Sequence, residues 1–295
     1  MFEKIIVATD LSSTAYAVVR DLSGIRAFGA KKCLLLECLS LPQVGSVGLY
    51  YTYSVLEKSL KEQGEILEKQ GFDVETRVIF GLSKSEVMKA AEEEDYSLIV
   101  VGAQITSLVN EALIGGIAYE MIHHVRKPIL ISRLAEFMEG PDVGIHPVRT
   151  DYAASILHPT DFSDTSEQAF LMLKELVRNG AAKVTLMHVQ DKTKIEPYLE
   201  GRLKEFNEID ALRLEKMKEE LEAEGPVKVD VILAYGNPSK EIIDFVQTES
   251  VNLVVMGSQG RGYVKDLFLG SVSHNVARHA ESSVLLVPAS SDISN

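Results

Sequence analysis

The apolar positions of this chain fall into short, nearly continuous runs that alternate with amphipathic stretches of helical period. In the second half, β-rich runs near 155–158, 183–189, 228–234, 252–256 and 283–287 are separated by helical patterns near 164–178, 200–224, 239–248 and 271–280. Strands this short and this uniformly apolar are covered on both faces. That pattern predicts a parallel sheet with helices on each side and right-handed crossovers. The first half repeats the alternation, with strands near 4–8, 32–38, 73–79, 97–101 and 128–132 and helices near 12–27, 52–70, 83–94 and 116–125.

The repetition extends to the residues themselves. IIVATDLSSTA at 5–15 returns as ILHPTDFSDTS at 156–166, and GLSKSEVMKAAEEEDYSLIVVGAQ at 81–104 returns as GNPSKEIIDFVQTESVNLVVMGSQ at 236–259. The chain is therefore a tandem duplication of one α/β domain of ordinary size. Between the copies, Gly140-Pro141, Gly144 and Pro147 interrupt any sustained period. The expected division is a first domain over 1–135, a linker over 136–152 and a second domain over 153–290.

Composition narrows the class. With 46% hydrophobic and 25% charged residues the chain can build two well-filled cores, and no apolar run approaches the ~20 residues that span a bilayer. The start, MFEKIIVATD, enters a strand directly, with no basic segment and apolar signal core. A cytoplasmic protein with no membrane partner is expected. A formal charge of −13 argues against a nucleic-acid partner, which needs clustered Lys and Arg. Cys33 and Cys38, five apart on one strand, point to opposite faces of the sheet and read as buried thiols rather than a bridge.

The candidate chemistry sits in VVMGSQGRGYVKDLFLGSVSHNV, residues 254–276, where an apolar strand runs into a glycine loop and then a helix start. Glycines at 257, 260 and 262 let main-chain N–H groups approach an anion, and the first turn from Gly270 through Ser271, Val272 and Ser273 offers unpaired N–H groups and the positive end of a helix dipole. Ser271 and Ser273 add hydroxyls. This reads as a cradle for nucleotide phosphates. Ligands of open parallel sheets bind beyond the carboxyl ends of strands, where strand order reverses. Thr160 and Asp161 end the first strand of the second domain there, and His188-Val189 forms another wall.

Asp161 has two readings, as an acceptor for an exocyclic amine or ribose hydroxyl, or as a turn and helix cap in its Thr-Asp-x-Ser-Asp run. Arg261 could pair with phosphate oxygens or stand as a solvated loop charge. Lys265 and Asp266 read as surface residues. The His274–His279 and His123-His124 spacings suit no metal, so none is expected. The charged stretch from Arg202 to Glu224 reads as a solvated amphipathic helix. There is no P-loop motif, no dinucleotide fingerprint and no nucleophile elbow. A receiver domain would need an Asp after its third strand, where this chain has Tyr235-Gly236.

Gly257-x2-Gly260-x9-Gly270-Ser271 preceded by VVM, PTDFS after the first strand and a closing SSVLLVP together resemble the universal stress protein family, over both halves. The resemblance implies two tandem doubly wound α/β domains, each a five-stranded parallel sheet in the order 3-2-1-4-5 flanked by helices. It implies ATP or AMP as the bound ligand, Mg accompanying ATP, and an internal pseudo-dimer of the two domains through their last strands, residues 129–131 and 284–287, with homo-dimers as a further assembly. By position, Pro159, Thr160, Asp161, Val189 and Met256 would border the nucleoside. Gly257, Gly260, Arg261, Gly262, Gly270, Ser271, Val272 and Ser273 would hold ribose and phosphates.

The first half departs from that pattern: Gly102 and Gly115 remain, but Ile105 stands for the loop glycine and Gly116 for the helix-start serine. One good nucleotide site per chain is expected, in the second domain, with an altered or empty one in the first. The expected role is a nucleotide-responsive stress or regulatory protein, in which binding outweighs catalysis. Slow ATP hydrolysis stays open. The alternatives are an ATPase or adenylyl-transfer enzyme on a related fold, and an interaction module that has lost its nucleotide.

Overall fold

The computed structural model describes residues 1–39, 48–81, 83–106, 111–113, 116–122, 126–138, 143–195, 200–260 and 269–289. They form two compact units, Met1–Thr150 and Asp151–Asn295. No described helix is long and apolar enough to cross a membrane.

The first unit runs β1 (Lys4–Thr9), α1 (Ser13–Arg20), β2 (Lys32–Leu39), α2 (Gly48–Lys69), β3 (Asp73–Phe80), α3 (Ser83–Glu93), β4 (Leu98–Thr106), β5 (Glu111–Leu113), α4 (Gly116–Ile122), β6 (Ile129–Phe137) and β7 (Gly144–Pro147). Its five parallel strands lie in the order β3-β2-β1-β4-β6, the 3-2-1-4-5 order expected. The central strands are buried almost throughout, whereas β3, at the edge, is largely half-exposed.

Two antiparallel additions were not expected. β4 runs past the domain core to Thr106 and pairs with β5, and β7 folds back on β6. The segment expected as linker, 136–152, thus holds the end of β6 and all of β7. Arg20 on α1 donates to the carbonyl of Ile145 at 3.0 Å, which ties β7 to the first unit.

The second unit runs β8 (Ile156–Pro159), α5 (Asp164–Arg178), β9 (Lys183–Asp191), α6 (Lys192–Ile195), α7 (Leu203–Glu222), β10 (Lys228–Gly236), α8 (Pro238–Thr248), β11 (Leu253–Gly257), α9 (Ser271–His279) and β12 (Ser283–Val287). The strands are all parallel, in the order β10-β9-β8-β11-β12. Strand order therefore reverses between β8 and β11, so their carboxyl ends open the crevice such folds use for ligands. Ser163 caps α5 by accepting from the N–H of Ser166, and Asn237 caps α8 ahead of Pro238. Such caps contribute about 1 kcal/mol each. Lys174–Glu220 and Arg178–Glu224 pairs bring α5 and α7 onto the same face.

The core of the second unit holds a fully buried imidazole. His158 in β8 is fully buried, tilted against the ring of Phe170, and its Nδ1 donates to the carbonyl of Val255 in β11 at 2.8 Å. Nε2 has no hydrogen-bond partner among the described residues. Burial pushes its pKa down to about 4, so the ring is neutral. The unfolded chain accepts this proton below pH ~6.5 and the folded chain does not. Stability is therefore complete above that pH and falls as the pH drops towards 4, by up to about 3 kcal/mol. Urea unfolding at pH 7 and 4.5 is expected to show the loss, and His158→Phe to reduce it. Identical pH slopes for both chains would contradict this assignment.

Candidate functional site

The strand-to-helix turn after β8 is built by side chains hydrogen-bonding to their own backbone. Thr160 Oγ1 accepts from the N–H of Phe162 at 3.0 Å, and Asp161 Oδ1 accepts from the N–H of Ser163 at 3.1 Å and from its hydroxyl. These bonds hold Phe162 at a φ of 58°, an uncommon conformation for a residue with a side chain. The first unit has the same turn: Thr9 and Asp10 accept from Leu11 and Ser12, Leu11 has a φ of 56°, and Ser12 caps α1. One oxygen of each Asp is thus structural in both units. Asp161 Oδ2 turns towards the glycine loop, since a Cβ at Gly260 would lie 2.7 Å from it.

The loop is pinned to its surroundings. The hydroxyl of Thr165 donates to the carbonyl of Gln259, the N–H of Gly270 donates to the carbonyl of Ser258 at 2.8 Å, and Ser273 Oγ donates to the carbonyl of Gly257 at 2.8 Å. The Ser273 hydroxyl hydrogen, expected as a ligand donor, is therefore committed to the protein. Gly257 has a packing reason to be glycine: a Cβ there would meet the backbone of Thr165 and Ser166 at 2.8 to 3.0 Å. Helix α9 starts at Gly270 without a side-chain cap, unlike α5 and α8. The first intrahelical bond from its start runs from His274 N–H to the Gly270 carbonyl, so the N–H groups of Ser271, Val272 and Ser273 have no partner within the helix.

These parts border one cleft of about 850 Å3. Pro159, Thr160, Asp161, Val189, Met256, Gly257, Gly260, Gly270, Ser271, Val272 and Ser273 all line it. Arg261, Gly262, Lys265 and Asp266 lie outside the described residues, as do Gly115 and His123-His124. Apolar walls come from Val189, Ile195, Phe206, Ile242 and Met256. Phe206 and Asp210 belong to α7, whose charged sequence had suggested a solvated amphipathic helix rather than part of a site. Four residues apart, they share a face of the helix, and that face is turned to the ends of the strands.

Asp210 also enters a polar chain. His188 Nδ1 donates to the carbonyl of Thr160 at 2.7 Å, its Nε2 lies 3.5 Å from Asp210 Oδ2, and Gln190 Nε2 donates to the same oxygen at 2.9 Å. The Phe162 ring packs on His188 with centroids 4.7 Å apart, and the Arg213 guanidinium lies over the Phe162 ring at 3.7 Å. No sequence motif marks this group.

The sequence model described as the universal stress protein family matches residues 1–133 and 154–288. The chain belongs to the universal stress protein family. The universal stress protein MJ0577 of Methanocaldococcus jannaschii is 34% identical over 151 residues, which cover 45% of this chain and 93% of the relative. A universal stress protein of Mycolicibacterium smegmatis is 26% identical over 239 residues, 79% of this chain and 75% of its own. Among solved structures, a universal stress protein from Archaeoglobus fulgidus matches 98% of this chain and 100% of its own with a TM-score of 0.78 and 22% identity, a likeness of fold.

The equivalent corner of the first stress-protein domain is built differently. Ile105, at the position of Gly260, lies inside β4 and pairs with Ala112 of β5, so a strand hairpin stands where the second domain has its loop. Glu37 takes the place of His188, opposite Thr9 in the β1–β2 register. It is buried, and Oε2 has no hydrogen-bond partner among the described residues. Burial first, and Asp10 second, push its pKa up to about 8. Burial also raises both Cys33 and Cys38 to about 12, which keeps these thiols protonated and unreactive.

Proposed function

We propose that the second domain binds an adenine nucleotide, ATP or AMP, and that the chain acts as a nucleotide-responsive stress protein. The observation that carries this reading is the uncapped start of α9, facing a cleft that also holds the glycine loop and apolar walls. Three N–H groups and a helix dipole favour phosphate oxygens. Gly260 keeps the approach clear of a side chain, Gly270 lets the start of α9 pack closely on the loop backbone at Gln259 and Gly260, and in sequence Arg261 and Gly262 continue the same loop. Pro159, Thr160 and Asp161 stand beside the ribose, and Val189 and Met256 supply apolar surface for a flat base. When ATP is the ligand, Mg2+ would travel with its phosphates.

The cleft suits binding better than turnover. One oxygen of Asp161 is held in a turn, and anion binding by N–H groups alone does not favour a transition state over the ground state. Titrating nucleotide-stripped protein with ATP and AMP while following released phosphate over hours tests both parts of the reading. Binding without sustained release is the expected result. Steady release lost in Ser271→Ala would make the protein an ATPase, and no binding of either nucleotide would overturn the proposal.

A further inference from the structure

The cleft has two chemically different ends, and contacts along its wall order them. A Cβ at Gly260 would lie 2.7 Å from Asp161 Oδ2, Thr160 precedes Asp161, His188 Nδ1 is 2.7 Å from the Thr160 carbonyl, and Asp210 Oδ2 is 3.5 Å from His188 Nε2. A phosphate group at the start of α9 thus leaves the opposite end, at Asp210 and the end of β9, for the rest of the ligand. There Phe206 and Val189 provide apolar surface, and Asp210 provides a carboxylate whose side chain is only 16% exposed.

The hydrogen bonds at Asp210 show what it can still accept. Gln190 Nε2 takes Oδ2, while Oδ1 carries no hydrogen bond among the described residues. His188 Nδ1 must carry a hydrogen, because its partner is a carbonyl. Asp191, the neighbouring carboxylate, is occupied by the N–H and hydroxyl of Thr193. An ionised carboxylate accepts hydrogen bonds and donates none. It therefore favours a base edge that presents an amine and opposes one that presents a carbonyl oxygen.

We propose that Asp210 is the specificity-determining residue of the cleft, selecting a purine with an exocyclic amine at position 6 over one with a carbonyl there. This rests on the nucleotide-binding reading above and adds to it a residue on a helix outside the strand-end motifs. The probe is inosine triphosphate, which keeps the ribose, phosphates and ring size of ATP, replaces the amine with a carbonyl and turns N1 from an acceptor into an N–H donor, so that a carboxylate facing position 6 meets a carbonyl oxygen. Leaving buried polar groups mismatched costs enough to separate the two nucleotides by roughly tenfold or more in the native chain.

Asp210→Asn keeps the shape, still accepts from Gln190 and can donate an N–H to a carbonyl oxygen. Isothermal titration of the full chain is expected to show ATP weakened by about fivefold and inosine triphosphate strengthened, bringing the ratio to within about threefold of one. A merely structural role would weaken both nucleotides alike. If Asp210→Asn binds ATP and inosine triphosphate in the native ratio, or loses both equally, the assignment of Asp210 is wrong while the nucleotide site stands. If the native chain binds neither nucleotide, the parent reading falls and this one with it.

Discussion

At pH 8 the Glu37→Gln chain is expected to withstand urea markedly better than the native one, with the two converging near pH 5. Glu37 is buried in β2 with one oxygen lacking a partner among the described residues, and its pKa is raised to about 8. Below pH ~4.5 the folded and unfolded chains both hold the proton and the native stability is complete. Between that pH and 8 the unfolded chain ionises and the folded one does not, so stability falls as pH rises, by up to about 5 kcal/mol in total. A glutamine keeps the shape and removes the titration. The first unfolding transition, followed in urea at pH 5, 6.5 and 8, reads the effect directly. Parallel pH profiles for the two chains would show that Glu37 ionises freely in the folded state.

This alkaline limb belongs to the first domain, and the acid limb set by His158 belongs to the second. Two copies of one fold thus lose stability in opposite directions of pH, because β2 carries a buried acid and β8 a buried base.

Gly260→Ile is expected to reduce ATP affinity by at least tenfold while leaving the second domain folded. Any Cβ at this position meets Asp161 Oδ2 at 2.7 Å, and a branched side chain fills the mouth of the cleft beside α9. The substitution copies the first domain, whose isoleucine at this position lies in a strand. Phosphate binding depends on backbone N–H groups reaching the ligand, so both the bulk and the preference of a β-branched residue for extended backbone act against it. Gly257→Ala is a useful contrast. It pushes on the backbone of Thr165 and Ser166, so it is expected to lower the melting temperature as well as the affinity. Native affinity in Gly260→Ile would remove the loop from the site.

Most of the fold was legible because the central strands are short apolar runs buried on both faces, and helices such as α5 and α8 keep one apolar stripe. The boundaries of α5 match the sequence reading, since Ser163 caps its start and Asn179-Gly180 follow its end. The β4–β5 hairpin was not legible. AQITSLVNEAL has no turn glycine, and its β-branched residues look like the frayed end of a strand until β5 pairs with them. β7 was hidden by Gly144 and Pro147, which read as linker punctuation but also bound a short strand on a sheet partner.

The candidate cleft was legible where glycines, Thr160 and Asp161 cluster in sequence. Asp210 was not, because in EFNEIDALRLEKMKEE it is one acid among many. Only the docking of α7 distinguishes it from its neighbours. Glycine alone was also ambiguous: Gly257 is needed by the close approach of α5, and Gly260 leaves room in the cleft.

The duplicated chain with one intact loop makes stoichiometry the most direct test. Isothermal titration of the nucleotide-stripped two-domain chain with ATP is expected to give about one site per chain, lost in Gly260→Ile. Two equal sites per chain, or one site that persists in Gly260→Ile, would contradict the assignment of nucleotide binding to the second domain.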